Sequence, residues 1–131
     1  MANVFDLGDD EKTVLVVLFI PSVDRDGIPV DQDTWVNLAL KMFGNVFGGA
    51  TAFPQGKGVW RDDERRGNLV FDNPVIFHCY TSVEQIENPN NIAELKKFCC
   101  LLGEKTNQGE VGLVIDNSFL AIRDFSSEVK T

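Results

Sequence analysis

Three groups of side chains in this 131-residue chain have the types and spacing for ligand chemistry. The first is the triplet Trp60-Arg61-Asp62. An indole, a fixed cation and a carboxylate in succession can grip an anionic or aromatic ligand. The competing reading packs Trp60 into the core and pairs Arg61 and Asp62 with neighbours. It is the stronger of the two, because tryptophan usually buries its body and needs one partner for its N–H. The second group is His78, the sole histidine, with Tyr80 two residues on. Strand alternation over residues 75–81 puts Ile76, His78 and Tyr80 on one face and Phe77 and Cys79 on the other. An imidazole beside a phenol can act as a general base. A hydrogen-bonded histidine at a subunit interface is again the stronger reading.

Asp24 and Asp26 form a third candidate, in the acidic loop that follows an apolar run. Setting Gly27 at the sixth position of a calcium loop puts Ser22, Asp24, Asp26 and Asp33 at positions one, three, five and twelve. Position twelve should be glutamate and a helix should precede the loop; here a strand does. The acids read better as a solvated loop that caps the next helix. Glycines around Lys57 suggest a phosphate loop, but Gly56-Lys57 is followed by Gly58 and then by the strand-like Val59-Trp60, against the required spacing and context. One histidine and no Cys-x-x-Cys pair leave no zinc set. Cys99 and Cys100 read as inert buried thiols. The expectation is no metal and no cofactor.

Composition bounds the partners. Twenty acidic and twelve basic residues give a formal charge of −8, which repels nucleic acid and anionic membranes. Arg61, Arg65 and Arg66 are interleaved with Asp62, Asp63 and Glu64 and so form no basic groove. The start of the chain is acidic, without the basic region of a secretory signal. The run Val14 to Ile20 is too short to span a bilayer. Three cysteines give no disulfide framework. A cytoplasmic location follows as the expectation.

Positioning these groups takes nine elements. Thr13 to Ile20 is apolar throughout from Val14, a strand with both faces buried. Trp35, Leu38, Ala39, Met42, Phe43 and Val46 lie on one stripe of a helix over about 34–47, capped by Asp31 or Asp33 and ended by Gly48-Gly49. Short strands follow near 50–53, 58–61 and 69–71, then a β-rich strand over 75–81. Asn88-Pro89 opens a second helix, which runs to about Leu102 and stops at Gly103. Strands over 110–115 and 119–125 flank a turn at Asp116-Asn117-Ser118. Residues 1–12 and 126–131 read as tails around one domain, 13–125.

This order, β-α-β-β-α-β with an extra short strand after the first helix and a split last strand, predicts a ferredoxin-like α+β sandwich with two helices on one face of an antiparallel sheet. With Gly58-Val59-Trp60-Arg61-Asp62 and Trp35 near the start of the first helix, the chain resembles a family of small ferredoxin-like proteins of uncharacterised function that carry a Gly-x-Trp-Arg-Asp strand. The resemblance implies the fold and a dimer. The apolar second face of the first strand points the same way, to a homodimer closed over the sheet. The expected function is a non-enzymatic, self-associating domain that binds a small molecule or partner protein, with Trp60, Arg61, Asp62, His78 and Tyr80 as the binding residues. The alternative is a small metal-dependent hydrolase. Asp24 and Asp26 resemble, in placement, the Mg²⁺-holding acids of ribonucleases built on dimeric ferredoxin-like folds, and His78 is a further catalytic candidate. The charge of −8 argues against a nucleic-acid substrate.

Overall fold

The computed structural model describes residues 12–126. The expected tails fall chiefly on residues 1–11 and 127–131, which lie outside the described residues. Strand β1 spans Thr13–Ile20, helix α1 Gln32–Phe47, β2 Thr51–Phe53, β3 Gly58–Asp62, β4 Asn68–Asp72 and β5 Val75–Ser82. A short helix α2, Val83–Glu87, leads into α3, Pro89–Lys105. The chain closes with β6, Val111–Ile115, and β7, Ser118–Ile122. The architecture is therefore α+β.

Five strands form an antiparallel sheet in the order β2-β5-β1-β6-β7. The apolar β1 lies at its centre because both edges and the helix-side face are covered there. Val16 opposes Cys79 and Leu18 opposes Phe77. These join Ala39, Phe43 and Phe47 of α1 and Leu95, Cys99 and Leu102 of α3 in one core. Phe43 stacks on Phe77 with ring centroids 5.7 Å apart. Burying such a phenylalanine contributes about 1.5–3 kcal/mol.

Local sequence sets the helix ends. The Asp31 side chain accepts from the Thr34 N–H at the start of α1, and Gly48 takes the left-handed conformation at its end, φ 93°. Asn88 accepts from the Asn90 and Asn91 N–H groups and Pro89 fills the first position of α3. Two expectations are corrected. Gly103 does not stop α3, which continues to Lys105 and is capped by Thr106. Gly103 is instead a close approach, since a Cβ there would lie 2.2 Å from the Phe125 ring. The strand expected over 119–125 ends at Ile122.

The third difference shapes the site. Strands β3 and β4 do not join the main sheet. They pair only with each other, Trp60 opposite Val70 and Asp62 opposite Asn68, as a separate hairpin inserted between β2 and β5.

Candidate functional site

The face of the sheet turned away from the helices carries Leu15, Val17 and Phe19 of β1, with Ile76, His78 and Tyr80 opposite them on β5. At one end of this face the β3–β4 hairpin stands over the sheet and encloses a cleft of about 320 Å³. Phe19, Ile76, Gly112 and Phe119 line it from the sheet, and Gly58, Val59, Trp60 and Asp72 from the hairpin. Lys57, Gln108 and Glu110 add polar groups to its walls. Mostly apolar walls with a few polar groups are what a small organic ligand needs.

Hydrogen bonds from the loop after β1 hold the hairpin in place. Asp72 Oδ1 accepts from both the Ser22 N–H, at 2.7 Å, and the Ser22 hydroxyl, at 2.6 Å. Arg25 Nη2 donates to Asp62 Oδ2 at 2.9 Å, and Arg25 Nε donates to the same oxygen at 3.2 Å. That hydrogen bonding to Asp62 raises the Arg25 pKa above its ordinary value, against the opposing effect of burial. The Arg25 N–H donates to the Asn107 carbonyl at 3.0 Å, which ties the same loop to the segment before β6. Gly109 completes the arrangement. A Cβ there would lie 2.9 Å from Trp60 Cη2 and 3.4 Å from the Arg25 guanidinium, so only a glycine lets both side chains lie across that backbone.

The expected site residues separate. Trp60 is only partly buried and lines the cleft, which corrects its assignment to the core. Arg61 points to solvent and pairs with Asp63 at 2.5 Å. Asp62 is buried in its pair with Arg25. Alternation along β3 thus puts Trp60 and Asp62 on one side and Arg61 on the other. His78 and Tyr80 share the expected face but lie on the sheet nearer β2, where the His78 ring meets Phe53 edge-on at 4.8 Å. They line a separate depression with Gly48, Gly49 and Thr51 and do not reach the cleft beside Trp60.

Asp24 and Asp26 are engaged within their loop. Asp24 Oδ1 accepts from the Asp26 N–H at 2.7 Å and the Ile28 N–H at 2.9 Å. Burial works against its charge, but these bonds, the Asn107 amide and the Arg65 charge outweigh that and lower its pKa below 3.8. Asp26 is paired with Arg65 and accepts from Asn107 Nδ2 at 3.2 Å. Among the described residues no three histidine, cysteine or acidic side chains cluster to hold a metal ion.

The residues missed from sequence are Phe19, Asp72, Gln108, Glu110 and Phe119. Glycines at 109 and 112 around Glu110 were the available signal, since they leave the start of β6 open to close packing.

No family model matches the chain, and no curated protein matches it in sequence. Two solved structures match in fold. One is a phage SAM lyase in complex with S-methyl-5'-thioadenosine, with TM-score 0.64 and 16% identity, covering 91% of this chain and 97% of that one. The other is a phage SAM lyase in its apo state, with TM-score 0.56 and 16% identity, covering 90% and 93%. The fold of this chain is thus one that an enzyme with a small nucleoside ligand uses. That finding overturns the expectation of a non-enzymatic domain, and with it the metal-dependent hydrolase built on Asp24 and Asp26. No described helix is long and apolar enough to cross a membrane.

Proposed function

We propose that the chain cleaves S-adenosylmethionine and releases S-methyl-5'-thioadenosine from the cleft between the hairpin and the sheet. The observation that carries this reading is the cleft, an apolar slot of about 320 Å³ on a fold whose solved neighbour holds that nucleoside. Phe19, Trp60 and Phe119 line the cleft, and an adenine stacked on one of these rings would gain about 1–3 kcal/mol.

The product keeps the methyl and adenosyl groups, so the bond that breaks joins sulfur to the amino-acid γ-carbon. Sulfur takes the electron pair and leaves as a neutral thioether. The substrate's own carboxylate oxygen attacks the γ-carbon from the opposite side and closes a lactone ring. This route needs no external base. It suits a cleft in which Asp72 is held by Ser22 and Glu110 by Arg123. A carboxylate and a sulfonium neutralise each other as the ring closes, so the transition state is less charged than the reactants. Apolar walls favour it relative to water. The chain's part is to bind the substrate, hold the carboxylate in line with the sulfur and exclude solvent.

Incubation of the purified chain with S-adenosylmethionine, followed by chromatography for S-methyl-5'-thioadenosine, tests the reading. Wild type should form product above the spontaneous background, and Trp60→Ala should form far less. Product no greater than in a protein-free control would end it.

The core order β6-β1-β5-β2, with α1 and α3 as crossovers, supports a ferredoxin-like reading of the fold. Exposed Phe53, Tyr80 and Phe119 on the open sheet face support a second copy of the chain over that face. A monomer in sedimentation at micromolar concentration would remove the dimer. Cys79 and Cys99, buried and outside any disulfide among the described residues, fit a reducing, cytoplasmic setting.

A further inference from the structure

Beside the apolar cleft lies a smaller, polar pocket of about 170 Å³. Trp60 and Glu110 line both, so the two cavities share a wall. The rest of the small pocket is formed by Arg61, Asp62, Asp63, Glu64, Gly109 and Arg123. We propose that this pocket is the subsite for a zwitterionic α-amino acid group, and that the shared Trp60–Glu110 wall is where the substrate's sulfonium sits. The proposal deepens the reading of the cleft and rests on it.

The chemistry of the lining matches the ligand's two ends. S-Adenosylmethionine joins an apolar, aromatic nucleoside to a short chain ending in an ammonium and a carboxylate. The cleft supplies Phe19, Trp60 and Phe119 for the first part. The small pocket supplies two guanidinium groups for a carboxylate and a surplus of carboxylates for an ammonium. Arg123 Nη2 lies 3.1 Å from Glu110 Oε1, and Arg123 Nε donates to the same oxygen at 3.2 Å. The arginine is largely solvent-facing, so its fork can turn to an incoming carboxylate and make two parallel bonds. Glu110 then faces the ammonium or the sulfonium.

Net charge agrees. Arg25, which lies outside this pocket, pairs with both Asp62 and Glu64. Counting it once, Asp62, Asp63, Glu64 and Glu110 stand against Arg25, Arg61 and Arg123, a surplus of one negative charge. The intact substrate carries a sulfonium, an ammonium and a carboxylate, a surplus of one positive charge. The thioadenosine product is neutral. The pocket attracts the substrate and has no hold on that product, which favours turnover over product inhibition.

Titration calorimetry with two ligands tests the subsite. S-Adenosylhomocysteine keeps the amino acid group, but its neutral sulfide is not a leaving group, so it stays intact during the measurement. S-Methyl-5'-thioadenosine lacks the amino acid group. Arg123→Ala should weaken S-adenosylhomocysteine by about tenfold or more and leave S-methyl-5'-thioadenosine unchanged, as expected for one lost charge-assisted bond. Arg123→Lys should recover part of the loss, since it keeps the charge without the fork. If both ligands weaken together, or neither does, the subsite assignment is wrong while the cleft still stands. If wild type binds neither, the cleft reading falls and the subsite falls with it.

Discussion

Arg25 and Asp62 form an ion pair of 2.9 Å in which the side chains keep only 16% and 3% of their exposure. Arg25 lies in the loop after β1 and Asp62 at the end of β3, so the pair fastens the hairpin to the body of the molecule. Removing one member of a buried pair strands the other without a counter-charge. Asp62→Ala should therefore cost about 3 kcal/mol, measured by urea unfolding. Arg25→Met should cost more than Asp62→Ala, because it strands the more deeply buried Asp62, whereas Arg25 without Asp62 keeps Glu64 and more contact with solvent. Equal, negligible losses would show that the pair does not fasten the hairpin.

Much of the scaffold that holds this pair could be read from the sequence. The unbroken apolar run of β1 gave Thr13–Ile20 at both ends, and Asn88-Pro89 marked the start of α3 because capping chemistry is local. Gly103 misled, since a glycine that ends a helix and a glycine that receives a ring from elsewhere, here Phe125, look alike in one dimension. The cleft was illegible for the same reason. Its walls come from β1, the β2–β3 connection, the hairpin, β5 and the β6–β7 unit, and no local pattern shows that β3 and β4 leave the main sheet. Trp60 stood out by type, but whether it faced core or cleft depended on that departure.

Gly109→Ala should disturb binding more than folding. Its Cβ would meet Trp60 at 2.9 Å, and the indole edge can move where the anchored Arg25 cannot. The stability cost should stay within about 1–3 kcal/mol, as for other overpacked sites. Affinity for S-methyl-5'-thioadenosine should fall, and tryptophan emission should shift as the indole leaves its seat. Unchanged affinity would dissociate Trp60 from the ligand.

Asp24 sets an acid limit on stability. Its folded pKa lies below the ordinary 3.8, so its contribution is present above the unfolded value and is lost as pH falls through the folded one. Denaturant midpoints should fall with pH from about pH 5 downwards. Asp24→Asn should be less stable than wild type at neutral pH and show a shallower acid decline. Parallel curves for the two proteins would exclude this origin.

The cysteines should be silent under native conditions. Burial pushes Cys79 up to about 11 and Cys99 up to about 12, so almost no thiolate forms near neutral pH. Iodoacetamide should label neither residue in the folded chain and both in denaturant, as read by mass spectrometry. Rapid native labelling of Cys99 would mean that α3 opens locally.

The hairpin has no ladder hydrogen bonds to the five-stranded sheet. Its attachments are side-chain bonds such as Ser22–Asp72 and Arg25–Asp62. Amide hydrogens along residues 58–72 can then exchange through an excursion that leaves β1 and β5 protected. Such an excursion lifts one wall of the cleft, so if the cleft holds the proposed nucleoside, its residence time should follow how often that small unit detaches, and a change confined to those residues should alter escape rates while the folding equilibrium of the domain stays where it was.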